Sequence, residues 1–157
     1  MGSSELQSTL VSIIHGYLFG QLDRKKFQLV TGEPGVHLTH RDNLANDIAV
    51  YARSESSNAL TTNYFSRPPV VVVEVDVKVD TTEAGMSEFE YVILKSQQLI
   101  GFGCQQVVWV LTSIRQLVVF TGEASFQLLP WSAPLPLPVG AVLHLEQWIT
   151  DEGFHFE

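Results

Sequence analysis

The stretch Arg67-Pro68-Pro69-Val70-Val71-Val72-Val73-Glu74-Val75-Asp76-Val77-Lys78-Val79-Asp80 decides how the rest of the chain is read. Two prolines open it. Proline cannot sit inside a paired central strand, so they mark the entrance to one. The valines that follow are β-branched and favour a pleated backbone. With a side-chain period of two, Val71, Val73, Val75, Val77 and Val79 share one face. Val70, Val72, Glu74, Asp76 and Lys78 share the other, which starts apolar and turns ionic. That ionic half has two readings, a half-exposed strand wetted on one side or a site.

The elements around it read outward from this strand. Ser3 or Ser4 caps a helix beginning at Glu5, with Leu6, Leu10, Ile13, Ile14, Tyr17 and Leu18 at helical spacing. His15 lies at the edge of that packed face. Phe27 to Val30 reads as a strand, Thr31 to Gly35 as a turn, and Val36 to Thr39 as the hairpin partner of the first strand. His37 and His40 fall in strand and loop, where they point to opposite faces, so no zinc site is expected. Arg41 to Asn46 reads as irregular, Asp47 to Ala52 as a short strand, and Ser54 to Ser66 as a polar loop. After a second loop, Ser87-Glu-Phe-Glu90 is a capping box for a helix running to about Ile100, ended by Gly101 or Gly103. Lys95 stands among its apolar residues. Val107 to Thr112 and Leu117 to Thr121 form a hairpin, and Ser125 to Leu129 is a third strand. Pro130 to Pro138 reads as an extended surface segment, Ala141 to Ile149 as a strand or short helix, and Thr150 to Glu157 as loosely held. The expectation is one α+β domain over residues 1–157, with a mixed or mostly antiparallel sheet packed by two main helices.

Composition narrows the function. The chain has 157 residues, 45% hydrophobic and 17% charged, which suits one globular domain. No apolar run is long enough to cross a membrane, and the first residues lack the features of a secretory signal. With Cys104 the single cysteine, no internal disulfide forms, and the cytoplasm is the expected location. A formal charge of -8 argues against a broadly basic nucleic-acid surface. Gly101-Phe-Gly103 follows a helix and precedes a strand, the reverse of a phosphate-binding turn. Gly85-Met-Ser87 lacks the closing glycine of a nucleophile elbow, and Cys104 reads as a small buried hydrophobe.

What remains is acidic. Glu74 and Asp76 are two apart on one strand face, about 6.6 Å between Cα atoms. Asp47 opens an earlier strand, and if the two strands pair, Asp47 and Glu74 converge. Such oxygen ligands suit Mg²⁺ or Mn²⁺, which can activate water and neutralise a phosphate. Lys78 on the same strand and Lys95 on the next helix are the candidates for a nearby cation. A lysine on an apolar helix face either snorkels to the surface or meets a buried acid.

Four segments together resemble the Uma-two family, a bacterial branch of the restriction-endonuclease-like PD-(D/E)XK superfamily. They are Asn46-Asp-Ile-Ala-Val-Tyr51, Pro69-Val-Val-Val-Val-Glu-Val75, Lys95 with Leu99, Gly103 and Val107-Val-Trp-Val110, and Leu135-Pro-Leu-Pro-Val-Gly-Ala-Val-Leu143. The resemblance implies a restriction-endonuclease-like core and a Mg²⁺- or Mn²⁺-dependent nuclease, a hydrolase of DNA. It implies Asp47 and Glu74 as metal ligands, with Asp76 assisting, and Lys95 as the catalytic lysine. Asp76-Val-Lys78 offers a rival, in which Asp76 is the second acid and Lys78 the lysine. Asn46 stands where the family has proline. The segment from Glu74 to Lys95 is longer than usual, and Leu6 stands where the family has a histidine. The other expectation, motivated by only nine basic residues and a first helix with no strands before it, is a homodimeric nuclease-fold module without catalysis.

Overall fold

A computed structural model describes residues 2–39, 41–55, 58–75, 87–122 and 124–156. Helix α1 (Glu5–Gln21) starts where the Ser4 hydroxyl accepts the Gln7 backbone amide at 3.1 Å, a side-chain cap for an otherwise unpaired donor. Then come β1 (Phe27–Thr31), β2 (Gly35–His37), β3 (Asn43–Ala45), β4 (Ile48–Ala52) and β5 (Val71–Val75). Helix α2 (Glu88–Phe102), β6 (Gln106–Leu111), β7 (Gln116–Gly122) and β8 (Ser125–Pro130) follow, and β9 (Leu135–Leu137), β10 (Ala141–Leu143) and α3 (Leu145–Asp151) close the chain.

Six strands form one sheet in the order β1-β4-β5-β6-β7-β8. Every neighbouring pair is antiparallel except β5 and β6. A parallel pair needs a crossover, and α2 is the helix within it. The β5 alternation divides the core. Val71, Val73 and Val75 pack with Leu10, Ile14 and Leu18 of α1 and with Trp148 and Ile149 of α3. Val72 faces the other way, among Ala49, Tyr51, Trp109, Phe120 and the α2 residues Val92 and Leu99. The architecture is therefore α+β, a mostly antiparallel sheet between helical layers. Among the described residues no helix is long and apolar enough to cross a membrane.

Several expectations need correction. β2 does not pair with β1; it pairs with β3, within the stretch read as irregular, and β1 pairs with β4. Gly32 and Glu33, both at positive φ, turn the chain out of the main sheet. The proline-rich segment, read as an extended surface segment, is instead part of the core: Trp131, Leu135, Leu137 and Val139 are buried and β9 pairs with β10. Residues 141–151 supply both a strand and a third helix. The last residues are anchored, since Phe156 packs on Trp131 with ring centroids 5.6 Å apart. Cys104 is buried as expected, and burial pushes its thiol up to about 11. His40, Asp76 and Lys78 lie outside the described residues.

Candidate functional site

β4 delivers the first acid. Its ladder with β5 pairs Val50 with Val71, Ala49 with Val72 and Ile48 with Val73, so one further step sets Asp47 against Glu74. On the other side of β5, Glu74 stands level with Trp109 of β6. The alternation that sends Val73 and Val75 toward α1 sends Glu74 toward α2. There it is covered: all five residues of β5 are buried, and Glu74 is only 6% exposed. The wetted-face reading therefore fails for Glu74.

α2 delivers the cation. Its buried residues are Val92, Lys95, Ser96 and Leu99, spaced as one helical stripe. Two of these four inward positions are polar, and both have partners. The Ser96 hydroxyl accepts the Trp109 indole N–H at 2.6 Å. The Lys95 ammonium donates to Glu74 Oε1 at 2.7 Å and to the Ala45 carbonyl at 2.7 Å. It also lies 5.7 Å from the Trp109 ring centroid, within the range of a cation–π contact. Removing two charges from water costs several kcal/mol per ion, and close pairing with further hydrogen bonds offsets much of that.

Asp47 joins this pair through the backbone. Its Oδ2 accepts the Val75 amide at 2.8 Å, and its own carbonyl accepts the Thr31 hydroxyl at 3.1 Å. Burial, with a smaller push from the neighbouring Asp47, raises the Glu74 carboxyl to about 7 against the opposing pull of Lys95. The donors are carboxylate oxygens, hard ligands suited to Mg²⁺ or Mn²⁺. Among the described residues no group of three or more His, Cys, Asp and Glu can hold a metal. Two carboxylates still match the way Mg²⁺ is usually held, with water and substrate phosphate completing the shell.

Asp47, Glu74 and Lys95 are thus brought together, whereas His15 is on α1 and shares a cleft with Asp47 alone of the three. It lines a cleft of about 370 Å³ with Ser8, Ser12, Thr31, Glu33 and Asp47. A larger cleft, between α1 and Glu152–Phe154, touches neither acid. Sequence reasoning did not single out the Ala45 carbonyl, Ser96 or Gln7. It passed over Asn46 as a neutral replacement for proline. Asn46 is 1% exposed, and among the described residues neither its side-chain oxygen nor its side-chain nitrogen has a hydrogen-bond partner.

No family model and no curated protein matches the chain. Among solved structures, the chain is similar to a protein from Anabaena variabilis described as a "putative nuclease belonging to DUF820". The TM-score is 0.65 at 16% identity, over 95% of this chain and 84% of that one. At that identity the likeness is one of fold.

Proposed function

We propose that the chain is a metal-dependent nuclease-like protein acting on DNA phosphodiester bonds, a divergent relative of the Uma-two branch of the PD-(D/E)XK superfamily. The observation that carries this reading is the buried Glu74–Lys95 pair, tied through the Val75 amide to Asp47. A carboxylate with an ammonium at 2.7 Å buried between a sheet and a helix is an expensive way to fill a core, which makes it a functional candidate. The fold shared with a described nuclease candidate supports it.

In this reading Asp47 and Glu74 hold Mg²⁺ or Mn²⁺, and Asp76 is the candidate for a third oxygen. The ion, when bound, supplies the positive charge that lowers the pKa of a water and neutralises phosphate. Lys95 orients Glu74 and pulls its carboxyl toward the ionised form against the burial that raises it, and its ammonium stabilises charge developing on the phosphate oxygens. Lys78 remains the rival for that task. The test is cleavage of double- and single-stranded DNA with Mg²⁺ or Mn²⁺ by wild type, Glu74→Gln and Lys95→Met, each first shown folded by circular dichroism. Loss of at least about 100-fold in both variants is expected, in line with loss of an electrostatic stabiliser. Equal rates in all three overturn the assignment.

A second reading, a nuclease-fold module without catalysis, is favoured by the same ion pair, since Lys95 already occupies one Glu74 oxygen. It is favoured too by the charge of -8, which opposes the approach of DNA. Calorimetric titration separates the two readings: absence of Mg²⁺ and Mn²⁺ binding selects the module.

A further inference from the structure

We propose that Gln7 of α1 is a positioning residue of the Asp47–Glu74 site. The inference deepens the metal-site reading above and rests on it. It starts from how β5 ends. On its β4 side the ladder stops at the Ile48–Val73 pair, whereas on its β6 side pairing continues to Val75 and Val110. Among the described residues, Val75 therefore presents an amide and a carbonyl with no strand to receive them. Backbone groups in such a place need partners, and two side chains provide them. Asp47 Oδ2 accepts the amide at 2.8 Å, and Gln7 Nε2 donates to the carbonyl at 2.9 Å.

Those two bonds hold both backbone polar groups of one residue. Asp47 is itself one of the two proposed ligands, and its carboxylate is oriented by the Val75 amide. Gln7 fixes the other end of the same residue, so it sets the direction from which that amide reaches Asp47. Glu74 precedes Val75, and its carboxylate is held by Lys95. Gln7 thus acts on the separation and orientation of the two acids without touching either. Its own backbone is pinned by the Ser4 cap, which makes it a rigid arm rather than a loose contact. Partners of this kind around metal ligands change affinity by about 10- to 100-fold when removed.

The same helix offers a control. At its other end, Gln21 Nε2 donates to the Val142 carbonyl at 3.0 Å, and Gln21 Oε1 accepts the Val142 amide at 2.9 Å. That tether secures α1 to β10 and has no contact with either acid. The experiment compares Mn²⁺ binding, by calorimetry, to wild type, Gln7→Met and Gln21→Met. Methionine keeps the length and loses the donor. Gln7→Met is expected to bind Mn²⁺ about 10- to 100-fold more weakly, while Gln21→Met binds like wild type. On DNA, Gln7→Met is expected to need about 10- to 100-fold more Mn²⁺ for half-maximal rate, a shift that a smaller folded fraction, which scales kcat alike at every Mn²⁺ concentration, does not produce. If Gln7→Met does not fold, Gln7→Asn keeps the amide but falls one methylene short, and carries the same expectation. Wild type and the Gln7 variant binding alike overturns this inference alone. A wild type that binds no Mn²⁺ overturns the metal reading and this inference with it.

Discussion

Glu74 carries an electrostatic cost that can be read as a function of pH. Burial raises its carboxyl from 4.5 to about 7 in the folded chain, and Lys95 only partly opposes that. A group whose folded pKa is raised holds its proton longer in the native state than in the unfolded one. The stability it contributes is full below about pH 4.5 and is lost as pH rises through about 7. The whole swing is on the order of 3 kcal/mol at most. Glu74→Gln removes this titration and leaves every other acid in place. Unfolding by urea at about pH 5 and about pH 8 is therefore expected to show wild type losing ground to Glu74→Gln as pH rises. An unchanged gap between the two proteins, or one that moves the other way, contradicts the buried, proton-retaining carboxyl. The presence of an acid at position 74 was legible in the sequence, but its burial was not. Strand alternation says which residues share a face; it does not say whether a helix covers that face. The signal lay 21 residues and more downstream, in a lysine and a serine taking inward positions on α2.

Elements with local stop and start chemistry were the most legible. Ser87 caps α2 through the Glu90 amide at 3.1 Å, as its capping box implies, and Gly103 ends the helix at φ 129. The β6–β7 hairpin and β8 follow the sequence reading closely. What failed were pairings between segments far apart. Proximity favours Phe27–Thr31 joining the next strand, yet it joins β4 because Gly32 and Glu33 turn the chain aside. The proline-rich segment misled for another reason. Leu135, Leu137 and Val139 alternate with Pro136 and Pro138, and the prolines take the exposed positions while the apolar residues are buried. Proline count hid a period of two. Gly103 gives a prediction at this scale. A Cβ there would approach Pro68 Cγ to 2.9 Å, and the positive φ disfavours any L side chain. Gly103→Ala is expected to cost about 1–3 kcal/mol by displacing the turn that links α2 to β6. Gly20, inside α1 with nothing within 4 Å, is the contrast: Gly20→Ala is expected to add roughly 0.5–1 kcal/mol through helix propensity. Chemical denaturation of both variants checks the pair, and equal effects would remove the steric argument.

At the scale of the whole molecule, charge and proposed substrate are opposed. Seventeen acidic residues against nine basic ones give a formal -8, and DNA affinity normally grows from phosphates neutralised by lysine and arginine. A chain of this charge has little long-range attraction for DNA to draw on. If it nevertheless acts on DNA, the attraction must be local and must come largely from the divalent ion between Asp47 and Glu74. Binding of a labelled duplex, followed by fluorescence anisotropy, is then expected to be undetectable in a chelator and to appear when Mn²⁺ is added. The increment is expected to vanish in an Asp47→Asn, Glu74→Gln double variant. Because few phosphates are neutralised, the slope of log affinity against log salt is expected to be shallow, on the order of -1 to -2. Tight binding in chelator with a steep salt slope would instead reveal a basic surface formed by the arrangement of those nine residues. That outcome would move the source of DNA attraction away from the two acids and leave the buried Glu74–Lys95 pair to be explained as structure.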